Sequence, residues 1–260
     1  MKNLLITAVF LTCIFGLNFK VYANTFFGSI TLESQSEVDA YDQTITIIEG
    51  NLNIITDPNL HDPITDLSKL SNLTSVNQFE VQNNGSLNEV SFPALTRAFN
   101  LYVQNNSILS SMSFPVLTSV DVLLSVEDNN ILDPVSFPAL TSAISIIVQN
   151  NSSLSSVSFP ALTVVDALLT VEDHDNLDEV SFPVLTSVGN QLRVQNNSLL
   201  NIMDFPVLNS VSVIFIEDNI ILNDCCSIAN LVDSDPNNGQ ADQIFIRRND
   251  CGCLDVGCSV

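Results

Sequence analysis

The sequence predicts a mainly β solenoid of roughly nine stacked coils, each 22–23 residues long, with a short C-terminal capping helix. Three observations predict it. A Phe-Pro pair recurs at Phe92-Pro93, Phe114-Pro115, Phe137-Pro138, Phe159-Pro160, Phe182-Pro183 and Phe205-Pro206, at intervals of 22, 23, 22, 23 and 23 residues. Ahead of each pair runs a short stretch that places apolar residues two apart, the period of a half-buried strand. After every such stretch but one an asparagine stands at a fixed offset. A coil of this length cannot bury its apolar side alone, so neighbours must stack and share one continuous core.

Residues 1–23 read as a signal peptide. Lys2 supplies the positive start, residues 4–17 the apolar run, and Val21-Tyr22-Ala23 the small-residue cleavage site. The run is short for a membrane span and no second one follows. The expected location is therefore secreted or cell surface. Residues 24–222 form the repeat domain, opening with an N-terminal cap over residues 24–50. There Ile45-Thr46-Ile47-Ile48 is expected as a strand that Gly50 closes. Leu52 and Ile54 begin a first degenerate coil. A connection through Pro58, His61 and Pro63 follows, and residues 64–70 form a helical turn.

From Leu70 each coil follows one template. The strand carries Phe79/Val81, Leu101/Val103, Leu124/Val126, Ile146/Val148, Leu169/Val171, Leu192/Val194 and Ile214/Ile216 as inward pairs. A polar turn leads to a buried Leu (Leu87, Leu109, Leu132, Leu154, Leu177, Leu200 and Leu222). Val90, Met112, Val135, Val157, Val180 or Met203 comes three residues later. Proline after the phenylalanine fixes φ and removes a donor where the chain turns a corner. Stacked coils pair their strands in parallel at about 4.8 Å.

Asn84, Asn106, Asn129, Asn151, Asn197 and Asn219 occupy one column, with His174 in the remaining place. An amide in a tight turn satisfies backbone groups that the turn leaves unpaired, and stacked copies bond to one another. This predicts a structural asparagine ladder in which His174 is a substitute. The two residues before the ladder position alternate by coil: Gln104-Asn105, Glu127-Asp128, Gln149-Asn150, Glu172-Asp173, Gln195-Asn196 and Glu217-Asp218. Carboxylates stacked at about 4.8 Å repel by about 0.9 kcal/mol even in bulk water, so interleaved amides relieve them and donate to them.

Residues 223–260 are expected as a cysteine-rich C-terminal cap, with a short helix over residues 224–233 and a last strand at Ile244-Phe245-Ile246. Cys225, Cys226, Cys251, Cys253 and Cys258 are disulfide candidates in an oxidising compartment, two bridges at most with one thiol left over. Zinc is the rival for Cys251, Cys253 and Cys258, but neither a CxxC spacing nor a nearby histidine supports it. No metal and no cofactor is expected.

Seven basic against twenty-nine acidic residues give a formal charge of −22, which repels nucleic acid and anionic lipid. There is no G-x-S-x-G, no H-E-x-x-H and no phosphate-cradling glycine loop, and the only histidines, His61 and His174, stand in unlike contexts. The acidic column repeats in three coils rather than forming one tuned pair. The protein is therefore expected not to be an enzyme. The outward strand positions Glu80, Tyr102, Ser125, Ile147, Thr170, Arg193 and Phe215 vary while their neighbours repeat, which suits recognition of an extended partner. Tyr102, Ile147, Arg193 and Phe215 are the candidate ligand-binding residues.

The segment Leu70-Ser-Asn-Leu-Thr-Ser-Val76, the strand followed by Asn-Asn, and the repeated Phe-Pro-x-Leu-Thr-x-Val resemble receptor L-domain-like proteins, relatives of leucine-rich repeats on cell surfaces. The resemblance covers residues 40–250. It implies a right-handed β-solenoid with a long parallel sheet and an interaction role rather than catalysis. The turn is one residue longer than the Asn-x-Leu of leucine-rich repeats. The expected function is recognition or adhesion, binding an extracellular protein or a glycan through the sheet face. The alternatives are a structural envelope or wall spacer, and a fragment of a calcium-dependent adhesin.

Overall fold

The computed structural model describes residues 24–223, 228 and 243–249. The N-terminal cap holds β1 (Thr25–Phe26), β2 (Ile30–Leu32) and the helix α1 (Gln35–Asp39). Long and short strands then follow as β3 (Ile47–Ile55), β4 (Ser75–Gln82), β5 (Glu89–Ser91), β6 (Arg97–Gln104), β7 (Ser111–Ser113) and β8 (Ser119–Glu127). The series continues with β9 (Val135–Ser136), β10 (Ser142–Gln149), β11 (Ser156–Ser158), β12 (Val164–Glu172), β13 (Glu179–Ser181), β14 (Ser187–Gln195), β15 (Ile202–Asp204) and β16 (Ser210–Glu217). The last described strand is β17 (Gln243–Arg247), where one was expected.

The long strands stack in sequence order into one parallel sheet, β1-β3-β4-β6-β8-β10-β12-β14-β16-β17, with β2 beside β3. Short return strands form a second parallel sheet, β9-β11-β13-β15, and the pair β5-β7. The chain is a mainly β solenoid of about eight turns, one for each long strand from β3 to β16. No helix among the described residues is long and apolar enough to cross a membrane. The expected signal segment, all but Ile228 of the helix expected over residues 224–233, and the five candidate disulfide cysteines lie outside the described residues.

The core is the template made solid. In register, Leu52 lies beside Phe79, then Leu101, Leu124, Ile146, Leu169, Leu192 and Ile214. All of these are fully buried, as are the leucines after each turn. The six phenylalanines of the Phe-Pro beat form one stack along the axis. Their centroids lie 5.9 Å apart at Phe92–Phe114, closing to 5.1 Å at Phe182–Phe205, with planes within 16° of parallel. Phe79 ends the stack edge-on against Phe92 at 4.6 Å. Each such ring contributes about 3 kcal/mol by burial, and stacking adds about 1 kcal/mol per pair.

The uneven spacing has a local cause. β8 carries one residue more than β10 between the pairs Val120–Ala143 and Leu123–Ser145, and β12 does the same against β10. β14 carries an extra residue against β16. These bulges absorb the added residue of the 23-residue coils, so the inward columns stay in step.

Two expectations in the cap are corrected. Gly50 does not close a strand; it lies inside β3, where the chain of Gly28 crosses it so closely that any Cβ would strike the Gly28 carbonyl. The cap also contains a helix that the strand pattern did not predict. Ser34 caps α1 by accepting from the Glu37 N–H at 3.3 Å, and Glu37 reaches back to accept from the Glu33 N–H at 2.8 Å. Gln35 then ties the helix to the connection by accepting from the N–H groups of Thr65 and Asp66.

Candidate functional site

Two features follow from the stacking: a buried ladder along one corner, and the outer face of the long sheet beside it. At the corner each coil leaves its strand through a left-handed residue. Asn83, Asn105, Asp128, Asn150, Asp173, Asn196 and Asp218 have φ between 53° and 63°. Asparagine and aspartate tolerate this region better than other side chains, which explains why this column holds nothing else until Arg248.

The next residue turns inward. Asn106 accepts at Oδ1 from the Asn84 N–H and from the Asn84 amide, both at 3.1 Å, and donates its own amide to the Val81 carbonyl at 3.0 Å. Asn129, Asn151, Asn197 and Asn219 each donate likewise to a strand carbonyl of the coil before, at 2.8–3.1 Å. All six asparagines are fully buried. His174 keeps the pattern with different atoms. Its Nδ1 accepts from the Asn151 N–H at 3.1 Å, so the ring proton sits on Nε2, 3.2 Å from the Val148 carbonyl. Burial outweighs these contacts and the neighbouring Asp173 and Asp175, pushing its pKa down to about 4. It is a neutral structural group. The ladder also runs past the asparagines read from the repeat: Thr56 donates into Asn84 at one end, and Asn249 accepts from the Asn219 N–H at the other. Asn249 was hidden because its coil lacks the Phe-Pro beat.

The sheet face presents three columns. In the central one, paired registers align Glu80, Tyr102, Ser125, Ile147, Thr170, Arg193, Phe215 and Phe245. Tyr102, Ile147, Arg193 and Phe215 are half-buried. Ser125 and Thr170 are not outward anchors: both are buried, because short side chains sink between the larger ones a coil away. The C-terminal end of the column is closed on itself. Phe215 and Phe245 stack at 4.9 Å, the Arg193 guanidinium covers Phe215 at 4.6 Å, and that of Arg247 covers Phe245 at 5.1 Å.

Beside it runs the alternating acid and amide column. Gln104 donates to Glu127 at 3.1 Å and Gln195 to Glu217 at 2.7 Å, while Gln149 reaches Asp173 at 3.1 Å. Burial, followed by the charge of Asp173, raises the Glu172 carboxyl above the usual carboxylate range, with Arg193 opposing. Burial and Glu80 raise the Tyr102 hydroxyl. Among the described residues no three His, Cys, Asp or Glu side chains converge as a metal site. A half-open cleft of about 420 Å³ is lined by Thr65, Asp66, Leu67, Asn88, Glu89 and Pro93 among others, none of them in the columns of this face.

Comparison with known proteins brings no relative to this arrangement: no family model, no curated protein and no solved structure matches the chain.

Proposed function

We propose that the protein is a non-catalytic recognition or adhesion module, secreted or held at the cell surface, that binds a glycan or an extracellular protein through its sheet face. One observation carries this reading. The inward columns repeat almost without change, whereas the half-buried outward column of Tyr102, Ile147, Arg193 and Phe215 differs at every coil. A rigid scaffold that varies only toward solvent suits an extended partner, and Tyr and Arg are frequent binding anchors. On this reading the solenoid is a right-handed relative of receptor L-domains, with roughly nine coils.

A second reading, a structural envelope or wall spacer, is favoured by the closure of Arg193 and Phe215 on each other and on Phe245. One experiment separates the two. The full oxidised chain is screened against glycans and extracellular proteins beside a Tyr102→Ser/Phe215→Ser variant with the same circular dichroism. Hits that the variant loses support recognition. If neither folded protein gives a hit, the spacer reading replaces it.

A further inference from the structure

From β6 to β14 the outer face does not repeat every coil; it repeats every two. Buried Ser125 and Thr170 alternate with the taller Tyr102, Ile147 and Arg193. One column over, Leu123 and Leu168 alternate with Asn100, Ser145 and Gln191. On the other side, Glu127 and Glu172 alternate with Gln104, Gln149 and Gln195. Three columns therefore share one period of two coils, about 9.6 Å at about 4.8 Å per strand.

A periodic surface gains from every repeat only when its ligand stays in step. Resting on the reading of this face as a recognition site, we infer that its ligand is a linear, neutral, 1,4-β-linked polysaccharide lying along the solenoid axis, one disaccharide to two coils. Successive rings of such a chain are flipped, so its chemical repeat is two sugars, and each ring advances it by about one strand spacing. The apolar ridges of Leu123, Ile147 and Leu168 meet the C–H faces of the rings. Between them the side-chain oxygens of Gln104, Gln149 and Glu172 accept from hydroxyls, the glutamine amide N–H groups being turned to Ser125, Glu127 and Asp173.

The same geometry disfavours other polymers. An extended peptide repeats a side chain on one face at about 6.8 Å, two residues of about 3.4 Å, and drifts out of step. Its main chain also finds no partner, because the strand amides and carbonyls are already paired across the sheet. A polyproline segment repeats at about 9.3 Å but docks in aromatic-lined slots, and here Phe215 and Phe245 spend their faces on each other. Anionic polymers meet Glu80, Glu127, Glu172 and Glu217 along the face, while Arg193 is held over Phe215.

The test sediments the full chain with insoluble cellulose, chitin and mannan, beside starch, a 1,3-β-glucan, pectate and an immobilised proline-rich peptide. Calorimetry with 1,4-β-linked oligosaccharides of increasing length runs in parallel. Retention on the 1,4-β-linked polymers alone is expected, with a hexasaccharide binding at least about tenfold more tightly than a disaccharide, about 1.4 kcal/mol. Ile147→Ser and Leu168→Ser should lower that affinity, whereas Val116→Ser, away from this face, should not. Equal retention on the other glycans, binding of the peptide instead, or no dependence on length overturns the inference whether or not the variants fold. A defined extracellular protein bound with no polysaccharide retained overturns it and leaves the recognition reading standing. No hit of any kind overturns both.

Discussion

His174 stands where every neighbouring coil has asparagine, and that exchange makes part of the protein's stability depend on pH. The ring is buried and neutral, accepting from Asn151 and donating to the Val148 carbonyl. Protonating Nδ1 would turn the acceptor toward Asn151 into a second donor in a fully buried site. The folded-state pKa of about 4 lies below the ordinary 6.5. Between those values the unfolded chain holds a proton that the folded chain does not, so stability rises with pH across the window and is flat above it. Working from the two values, the folded state should lose about 2 kcal/mol from this group between pH 7 and pH 5. The assay is urea unfolding of the wild type and of His174→Asn at both pH values. Carboxylates common to the two proteins cancel in the difference, so the variant should lose about 2 kcal/mol less than the wild type on acidification. An equal loss in both proteins would refute the assignment of His174 as a neutral ladder member.

Two further outcomes test the corner and the acid column. Asn129→Ala leaves the Asn106 N–H without an acceptor, strips the Asn106 amide of one of its two, and takes a donor from the Val103 and Glu127 carbonyls, so unfolding free energy should fall by about 4 kcal/mol. Thr118→Val, which removes only an exposed bond to the Thr96 carbonyl, should cost less than about 1 kcal/mol in the same titration. Gln149→Glu sets a third carboxylate between Glu127 and Glu172, repelling each by about 0.9 kcal/mol in bulk water. Its melting temperature should drop in low salt and recover in molar salt; a deficit independent of salt would show that the lost bond to Asp173, not repulsion, matters there.

Much of the fold was legible because the information is local and repeated. Leu101 and Val103 announce an inward pair by their spacing alone, and seven copies of that pair give strand, stacking and core together. Asn106 was legible for the same reason, since its offset from the strand recurs. The outer face was legible only as a set of positions. Ser125 and Tyr102 occupy equivalent places in the repeat, yet one is buried and the other half-exposed, because depth depends on the height of the side chains one coil above and below. Arg193 gave no sign that it would lie over Phe215, a contact across 22 residues of chain.

The sequence by itself therefore determined the period, which residues turn inward, and the choice of Asn or Asp at the left-handed corner, since each is set by the conformation of a few consecutive residues. Tertiary structure alone decided the rest. It placed Gly50 under the crossing chain of Gly28, ended the ladder at Thr56 and Asn249, and gathered the alternating columns into one surface with a two-coil period. These depend on distances between coils, which no single repeat contains and only the stack creates.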